Sequence, residues 1–158
     1  MESARQVGAL PVRQADDGGL MVLLVTSRDT GRWVIPKGWP SKRLTDPNAA
    51  AREALQEAGV TGKIKKTAIG TYRYRKIDDS INALVEVSVF LLTVRKEKKN
   101  WSEKRERERA WFAVEAAARK VREPRLKALI LALKPAAKQA PTFAPKDTRA
   151  RLPVTPAR

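Results

Sequence analysis

The feature that most constrains this chain is a helix near its middle with clear sequence signals at both ends. Asp46 is a favourable N-cap residue, and Pro47 suits the first helical turn. The Ala-rich run 49–58 then strongly favours helix. Gly59 supplies the left-handed residue that ends many helices, and the apolar Val60 follows it. We therefore predict one well-defined helix that ends at Gly59.

Apolar and alternating runs on both sides of this helix predict β-strands. They lie at residues 5–13, 19–27, 32–36, 62–76, 81–96 and 110–114. The segments VEAAARKV and PRLKALILAL predict one or two closing helices. Strands and helices alternate too sparsely for a doubly wound parallel sheet. The predicted fold is therefore α/β, with a mixed sheet between helices.

A change in composition at Pro135 divides the chain. Five of the ten prolines lie in the last 24 residues, mixed with Ala, Lys and Arg. Such a segment cannot bury enough apolar surface to order itself. We predict one folded domain at residues 1–134 and a basic, Pro/Ala-rich, disordered tail at residues 135–158.

The chain also carries a large excess of positive charge. Thirty-three Lys and Arg residues stand against 17 Asp and Glu residues, which gives a formal net charge of +16. Charge of this size indicates a polyanionic partner, although a basic surface also serves solubility alone.

Two residue types are missing from the sequence: it contains neither Cys nor His. This composition excludes disulfides, thiolate nucleophiles, imidazole metal ligands and Ser–His–Asp catalysis. An enzyme of this composition relies on carboxylates, hydroxyls, Lys, Arg and a hard cation such as Mg²⁺ or Mn²⁺. The sequence shows neither a signal-peptide run nor a membrane-spanning stretch, so we expect a cytoplasmic protein without a membrane partner.

Oxygen-bearing side chains share one face of the predicted helix. Residues three and four apart on a helix are neighbours, so Glu53, Gln56 and Glu57 project together. Arg52 lies beside them. Two carboxylates and an amide oxygen are suitable ligands for Mg²⁺ or Mn²⁺. The same spacing also occurs on solvated helix faces with an incidental Arg–Glu pair.

The sequence around this helix resembles the Nudix box, G-x5-E-x7-R-E-U-x-E-E-x-G-U, where U is a bulky aliphatic residue. The matching positions are Gly38, Arg52, Glu53, Glu57, Gly59 and Val60. The departures are Leu44, Ala54 and Gln56. The strand sequences RWVIPKG and ERAWF also agree with the order of elements in this family. The resemblance covers roughly residues 5–134.

This resemblance implies a Nudix-type α/β/α sandwich with a mixed sheet, and hydrolysis of a diphosphate bond with the help of a divalent metal. The implied metal ligands are Glu53, Gln56, Glu57 and the backbone carbonyl near Gly38. Glu53 also matches a residue that takes a proton from water in some members. Arg52 matches a residue that orients a glutamate. Metal ions of this kind neutralise phosphate oxygens and activate water without a histidine.

Gln56 stands where the Nudix box has an acid. Its amide oxygen carries no charge, so weaker metal binding is implied. Three explanations are open: the enzyme recruits another acid, the residue is an inactivating substitution, or the domain has become a binding protein. A replacement acid from the charged stretch 96–109 would be Glu103, Glu106 or Glu108, and we choose Glu106. A solvated charged loop explains the same three residues.

Among Nudix branches, the chain is most similar to the diphosphoinositol polyphosphate phosphohydrolases. The similarity lies in RWVIPKG, EAGVTGKI and NWSEKRERERAWF. It implies an anionic, phosphate-rich substrate such as a diphosphoinositol polyphosphate or a dinucleoside polyphosphate. The positions that match phosphate-contacting regions of this branch are Arg5, Ser27, Arg28, Lys37 and Arg107. Lys42 and Arg43 are added as substrate-binding candidates because of their charge alone.

Two other functions stay open at this point. A basic domain with a basic tail would bind RNA or DNA non-specifically through counterion release, with little catalysis. An RNA-cap or nucleotide-sugar Nudix hydrolase would instead need a base-stacking pocket. Tyr72 and Tyr74 are candidates for stacking, but cross-strand packing explains them more simply. We expect the four tryptophans, at positions 33, 39, 101 and 111, to pack within the protein.

Overall fold

A mixed β-sheet lies at the centre of the protein in the computed structural model, which describes residues 3–134. Its strands are β1 (Ser3–Gln14), β2 (Leu20–Thr26), β3 (Trp33–Val34), β4 (Lys37–Gly38), β5 (Val60–Ile64), β6 (Gly70–Ile77), β7 (Asn82–Glu97) and β8 (Arg109–Ala113). The helices are α1 (Asp46–Ala58), α2 (Val114–Lys120) and α3 (Pro124–Leu131). The predicted tail at 135–158 lies outside the described residues.

The two long strands β1 and β7 run parallel to each other along the middle of the sheet, with Val7 opposite Ser88. The other pairings are antiparallel: β1 with β2 and β4, β2 with β3 and β8, and β7 with β5 and β6. The prediction of a mixed sheet is therefore confirmed.

Alternating side chains on the central strands divide the core into two layers. On β2, Val22 and Leu24 face the layer that contains α2 and α3, whereas Leu23 and Val25 face the layer that contains α1. This alternation follows from the two-residue period of a strand. Because both faces of the sheet are covered by helices, the central strands are apolar almost throughout. The fold is an α/β/α sandwich, as predicted.

Helix α1 begins and ends close to the predicted positions, with one correction. The N-cap residue is Thr45, whose hydroxyl accepts a hydrogen bond from the N–H of Asn48 at 3.4 Å, and Asp46 is the first helical residue. The hydroxyl of Thr45 takes the capping role because Thr45 has the extended backbone that an N-cap requires. At the other end, Gly59 is left-handed with φ of 69°, as predicted.

The strand predicted at 62–76 is in fact two strands, β5 and β6. Both pair with the same edge of β7, where Ile64 lies opposite Leu92 and Gly70 lies opposite Val89. Five residues therefore lie between these two pairs on one side and only two, Phe90 and Leu91, on β7, so residues 65–69 cannot keep a regular register. The break depends on the pairing with β7, so the local alternation of apolar and polar residues does not predict it.

The charged stretch predicted as a loop is fastened to the end of α1. The connection between β7 and β8, residues 98–108, is called the 98–108 loop below. Its Trp101 packs against Gly59 so closely that a Cβ on that glycine would lie 2.7 Å from the indole ring. The indole N–H also donates a hydrogen bond to the carbonyl of Glu57 at 3.1 Å. The loop is thus held over the last turn of the helix.

Among residues 3–134, no helix is both long enough and apolar enough to span a bilayer.

Candidate active site

A polar cavity of about 270 Å³ opens where β4, the inner face of α1 and the 98–108 loop meet. We call it the carboxylate cavity. It is lined by Gln6, Ser27, Arg28, Asp29, Lys37, Gly38, Trp39, Glu53, Glu57, Tyr74, Lys76, Glu103 and Arg107. Three glutamates and four cationic side chains therefore face one small volume.

Glu57 occupies the innermost position in the last turn of α1, where it is only 6% exposed. Its Oε1 accepts a hydrogen bond from the backbone N–H of Lys37 at 3.2 Å. Its Oε2 lies 3.4 Å from Nη2 of Arg107. Strand β4 and the 98–108 loop therefore both help to fix this carboxylate.

Glu53 lies one turn earlier on α1, against the backbone of Gly38. A Cβ on Gly38 would lie 2.5 and 2.6 Å from the two carboxylate oxygens of Glu53. Any side chain at position 38 would therefore displace this carboxylate. Gly38 therefore allows the Glu53 carboxylate to lie directly against the backbone of β4.

The ionisation of the two helix carboxyls is strongly affected by their surroundings. Burial raises the pKa of Glu57 to about 7, although Arg107 and Lys37 oppose the change, and the neighbouring Glu53 adds to it. Burial and the charge of Glu103 raise the pKa of Glu53, while Arg52 lowers it. Burial is the largest cause of both shifts, so the raised pKa values indicate carboxyls that are poorly solvated.

The amine of Lys37 is poorly solvated in the same region. Burial lowers its pKa to about 8, against the opposing effect of Glu57. The Nζ atom lies 4.9 Å from the centre of the Tyr74 ring. The hydroxyl of Tyr74 in turn donates a hydrogen bond to Oε1 of Gln6 at 2.6 Å. This arrangement holds the lysine against the wall of the cavity.

Arg107 connects the loop acids to the helix acids. Its Nε donates to Oε1 of Glu103 at 2.6 Å, and its Nη1 donates to the carbonyl of Thr26 at 3.0 Å. The side chain is only 9% exposed. A single guanidinium thus contacts both Glu57 and Glu103, and it supplies part of the positive charge that the carboxylates need.

The oxygen donors in the carboxylate cavity fit a divalent cation of the magnesium type. Among residues 3–134, no group of three or more acidic side chains converges closely enough to hold a metal ion alone. Glu53 and Glu57 lie close enough to affect each other's ionisation: the charge of Glu53 raises the pKa of Glu57, and a side-chain hydrogen bond with Glu57 lowers the pKa of Glu53. Mg²⁺ commonly binds through one or two carboxylates together with substrate phosphates and waters.

The structure brings most of the predicted site residues together. Those that line the carboxylate cavity are Gly38, Glu53, Glu57, Ser27, Arg28, Lys37 and Arg107. These residues come from four separate parts of the sequence. Only the resemblance to the family predicts that they lie in one site.

Six predicted residues lie outside the lining of this cavity, and their functional roles stay predictions. Arg5 forms an ion pair with Asp46 at 2.8 Å. Lys42, Arg43 and Arg52 are exposed, although the charge of Arg52 does act on Glu53. The backbone carbonyl of Gln56 accepts a hydrogen bond from the N–H of Glu103 at 3.0 Å.

Glu106, the acid chosen from the loop, is engaged elsewhere. Its Oε1 accepts a hydrogen bond from Nη1 of Arg28 at 3.0 Å, and it does not line the carboxylate cavity. Glu103 lines the cavity instead. Its backbone bond to Gln56 turns it toward α1, a tertiary contact that the run of alternating charges does not reveal.

Several lining residues are not among the predicted site residues, although Tyr74 was considered for base stacking. They are Gln6, Asp29, Trp39, Tyr74 and Lys76, with Glu103 considered but not chosen. The alternation in TYRYRK places Tyr74 and Lys76 on one face of β6, and that pattern was the available signal. Tyr72 is 2% exposed and belongs to the core, so the packing explanation holds for it.

A second cavity, of about 510 Å³, adjoins the first, and we call it the basic cavity. It shares Ser27, Arg28 and Arg107 with the carboxylate cavity. Its further lining includes Lys104 and Arg105 from the 98–108 loop, with Glu106 and Glu108. Cationic side chains therefore continue outward from the carboxylates.

Comparison with known proteins identifies the fold and the family. Residues 2–133 match the NUDIX domain family. The chain is 34% identical over 102 residues to the protein named Nudix hydrolase 12, mitochondrial, of Arabidopsis thaliana, which covers 62% of this chain and 50% of that protein. It is 30% identical over 99 residues to diphosphoinositol polyphosphate phosphohydrolase 3-alpha of Mus musculus, which covers 61% of this chain and 57% of that protein.

Solved structures agree on the fold. A crystal structure of a C. elegans Ap4A hydrolase binary complex superposes with a TM-score of 0.62 at 20% identity, over 81% of this chain and 93% of that chain. Similarity at this identity concerns the fold alone. The chain spans about half the length of the curated relatives it matches.

Proposed function

This chain belongs to the Nudix hydrolase family, and we propose that it hydrolyses phosphoanhydride bonds in a highly anionic substrate with the help of Mg²⁺ or Mn²⁺. The substrate class is a diphosphoinositol polyphosphate or a dinucleoside polyphosphate. The observation that carries this proposal is the pair Glu53 and Glu57, which line one cavity together with four cationic side chains.

The residues of the carboxylate cavity suit diphosphate chemistry. Lys37, Arg28 and Arg107 provide positive charge for phosphate oxygens, and the planar fork of Arg binds two oxygens at once. Glu57 would hold the cation together with Glu53. The chemistry supplied by such a cation is neutralisation of the diphosphate charge and activation of water. Glu53, with its raised pKa, is suited to receive a proton from water.

The basic cavity supports a substrate with more than two phosphates. It begins at Arg28 and Arg107, where the carboxylate cavity ends, and continues to Lys104 and Arg105. A chain or ring of several phosphates would neutralise these charges. The names of two relatives point the same way, since one is called a diphosphoinositol polyphosphate phosphohydrolase and a neighbouring structure is called an Ap4A hydrolase.

The test is a substrate panel assayed with and without Mg²⁺. It contains diadenosine tetraphosphate, a diphosphoinositol polyphosphate, ADP-ribose, a nucleoside triphosphate and capped RNA. We expect Mg²⁺-dependent hydrolysis of one of the first two, and a loss of at least about 100-fold in Glu57→Gln. The matched control is Glu115→Gln, which makes the same change at an exposed position on α2. Preference for capped RNA or a nucleotide sugar would overturn the substrate class.

A second candidate is a polyanion-binding domain with weakened catalysis. It is favoured by Gln56, which leaves two helix carboxylates where the box pattern has three, and by the net charge of +16. Binding of RNA that falls steeply with salt, without Mg²⁺-dependent phosphate release from any panel member, would establish this alternative. The cytoplasmic location stays a prediction.

A further inference from the structure

Trp39 is an exposed aromatic residue at the mouth of the carboxylate cavity. It directly follows Gly38, lines the cavity, and is 45% exposed. The sequence pattern predicts that all four tryptophans pack within the protein. That expectation is wrong for Trp39, and its exposure requires a physical explanation.

The other tryptophans have structural partners. Trp33 forms an edge-to-face contact with Phe112 at 5.1 Å between ring centres. Trp101 donates to the carbonyl of Glu57, and Trp111 donates to Oε1 of Glu97 at 3.1 Å. Within residues 3–134, Trp39 is the tryptophan without a hydrogen bond or a ring contact. An indole that makes neither kind of contact, is 45% exposed and lies beside the titratable groups of the cavity is available to a ligand.

The tyrosines of the site cannot offer the same surface. Tyr72 is buried, and Tyr74 packs beside it at 6.4 Å between ring centres. Lys37 lies over the ring of Tyr74, whose hydroxyl is bonded to Gln6. Trp39 is therefore the aromatic side chain of the carboxylate cavity with an open face.

We propose that Trp39 is a stacking site for a nucleobase, and that the preferred substrate is a nucleoside polyphosphate rather than an inositol polyphosphate. This inference rests on the proposed function and narrows its substrate class. A nucleobase presents a flat apolar face that an indole can cover, and such stacking is tolerant of base identity. An inositol polyphosphate carries charged or hydroxyl groups around its ring and offers no flat apolar face of comparable size.

The position of Trp39 agrees with this assignment. Gly38, its neighbour in sequence, lies against the carboxylate of Glu53, so a base on Trp39 would be close to the phosphates bound at the cation. Phosphates farther along the substrate would extend toward Arg28 and the basic cavity. One end of the substrate would thus be recognised by stacking and the other by charge.

The experiment compares Trp39→Ala and Trp39→Phe with the wild type on two Mg²⁺-loaded substrates, diadenosine tetraphosphate and inorganic tetrapolyphosphate. We expect Trp39→Ala to raise KM for the dinucleotide about tenfold, with KM for tetrapolyphosphate unchanged. Trp39→Phe should recover most of the difference because phenylalanine can also stack. The matched control is Ile77→Ala, an exposed apolar residue outside both cavities.

An equal change in KM for both substrates, or no change for the dinucleotide, would overturn the assignment. So would a wild-type preference for a diphosphoinositol polyphosphate over the dinucleotide. If the wild type hydrolyses neither of these substrates nor a diphosphoinositol polyphosphate, the proposed function fails, and a second measurement decides the inference separately. A methylene-bridged diadenosine tetraphosphate analogue should quench tryptophan fluorescence in the wild type and not in Trp39→Ala; the absence of quenching in the wild type would count against stacking.

Discussion

Nη2 of Arg107 lies 3.4 Å from Oε2 of Glu57, in a part of the candidate site where both side chains are less than 10% exposed. A buried carboxylate is costly unless its charge is compensated. The 98–108 loop therefore contributes a cation to the last turn of α1. The same guanidinium also holds Glu103, so the loop and the helix are linked through one side chain.

The first prediction concerns this link. Replacement of Arg107 by Gln leaves Glu57 and Glu103 without their cation, and we expect a loss of about 3 to 5 kcal/mol in the free energy of unfolding measured in EDTA. Saturating Mg²⁺ should restore part of that loss, because it neutralises the same carboxylates. Thermal unfolding with and without Mg²⁺ measures both effects.

The control for this prediction is Arg28→Gln. Arg28 pairs with Glu106 in an exposed geometry, where both side chains are about half exposed, so the expected loss is below about 1 kcal/mol. If Arg107→Gln were equally destabilised in EDTA and in Mg²⁺, the idea that Arg107 and the cation compensate the same charges would be wrong.

The second prediction concerns the pH dependence of stability in the absence of metal. The pKa of Glu57 is raised to about 7, so the folded protein binds this proton more tightly than the unfolded chain does. The stabilising effect is present in full below the ordinary glutamate pKa and is lost as pH rises toward 7. This contribution of Glu57 to the free energy of unfolding is on the order of 3 kcal/mol.

The measurement is the difference between the wild type and Glu57→Gln in denaturant unfolding from pH 4 to pH 8, in EDTA. The variant lacks the ionisable group, and the carboxyls that do not interact with Glu57 cancel in the comparison. We expect the wild type to lose stability relative to the variant as pH rises. If the difference in the free energy of unfolding between the two proteins stayed constant from pH 4 to pH 8, the raised pKa of Glu57 would be contradicted.

The parts of the fold that the sequence predicts correctly are those whose signals lie close together along the chain. Helix α1 was predicted because its signals lie within a few residues of each other, and the single error, Asp46 in place of Thr45 as N-cap, involves adjacent residues. The break at residues 65–69 was missed because it follows from the register of a distant strand. Local sequence pattern determines where a helix or strand can form, whereas pairing with a distant strand determines where a strand is interrupted.

The candidate site divides in the same way. Glu53 and Glu57 were found because one helical turn relates them, and Lys37 and Arg107 were found through the family resemblance. Glu103 and Glu106 belong to one run of charges, and their roles separate only through a hydrogen bond to Gln56 and an ion pair with Arg28. Contacts of this kind join residues that are far apart in sequence, and no periodicity encodes them.

The third prediction concerns a buried ion pair that the sequence did not suggest. Arg32, before β3, donates to Oε2 of Glu123, the N-cap residue of α3, at 2.8 Å, and Glu123 is 7% exposed. Nη1 of Arg32 and Oε1 of Glu123 have no hydrogen-bond partner in the described part of the protein. The pair is therefore incompletely satisfied, and its removal as a unit should cost little.

Arg32→Met alone should lower the free energy of unfolding by about 3 to 5 kcal/mol, because it leaves a carboxylate buried without a cation. The double variant Arg32→Met/Glu123→Met should recover most of that loss. Denaturant unfolding of both single variants and the double variant completes the cycle. Losses that simply add would show that the two side chains do not interact.

The last prediction returns to the box position occupied by Gln56. A carboxylate there would add negative charge on α1 between Glu53 and Glu57, the two candidate metal ligands. We expect Gln56→Glu to tighten Mg²⁺ binding about tenfold and to raise Mg²⁺-dependent turnover at a fixed subsaturating Mg²⁺ concentration. Gln14→Glu, at the exposed end of β1, adds the same charge far from the site and controls for net charge. Unchanged or lower turnover in Gln56→Glu would show that position 56 has no part in holding the metal.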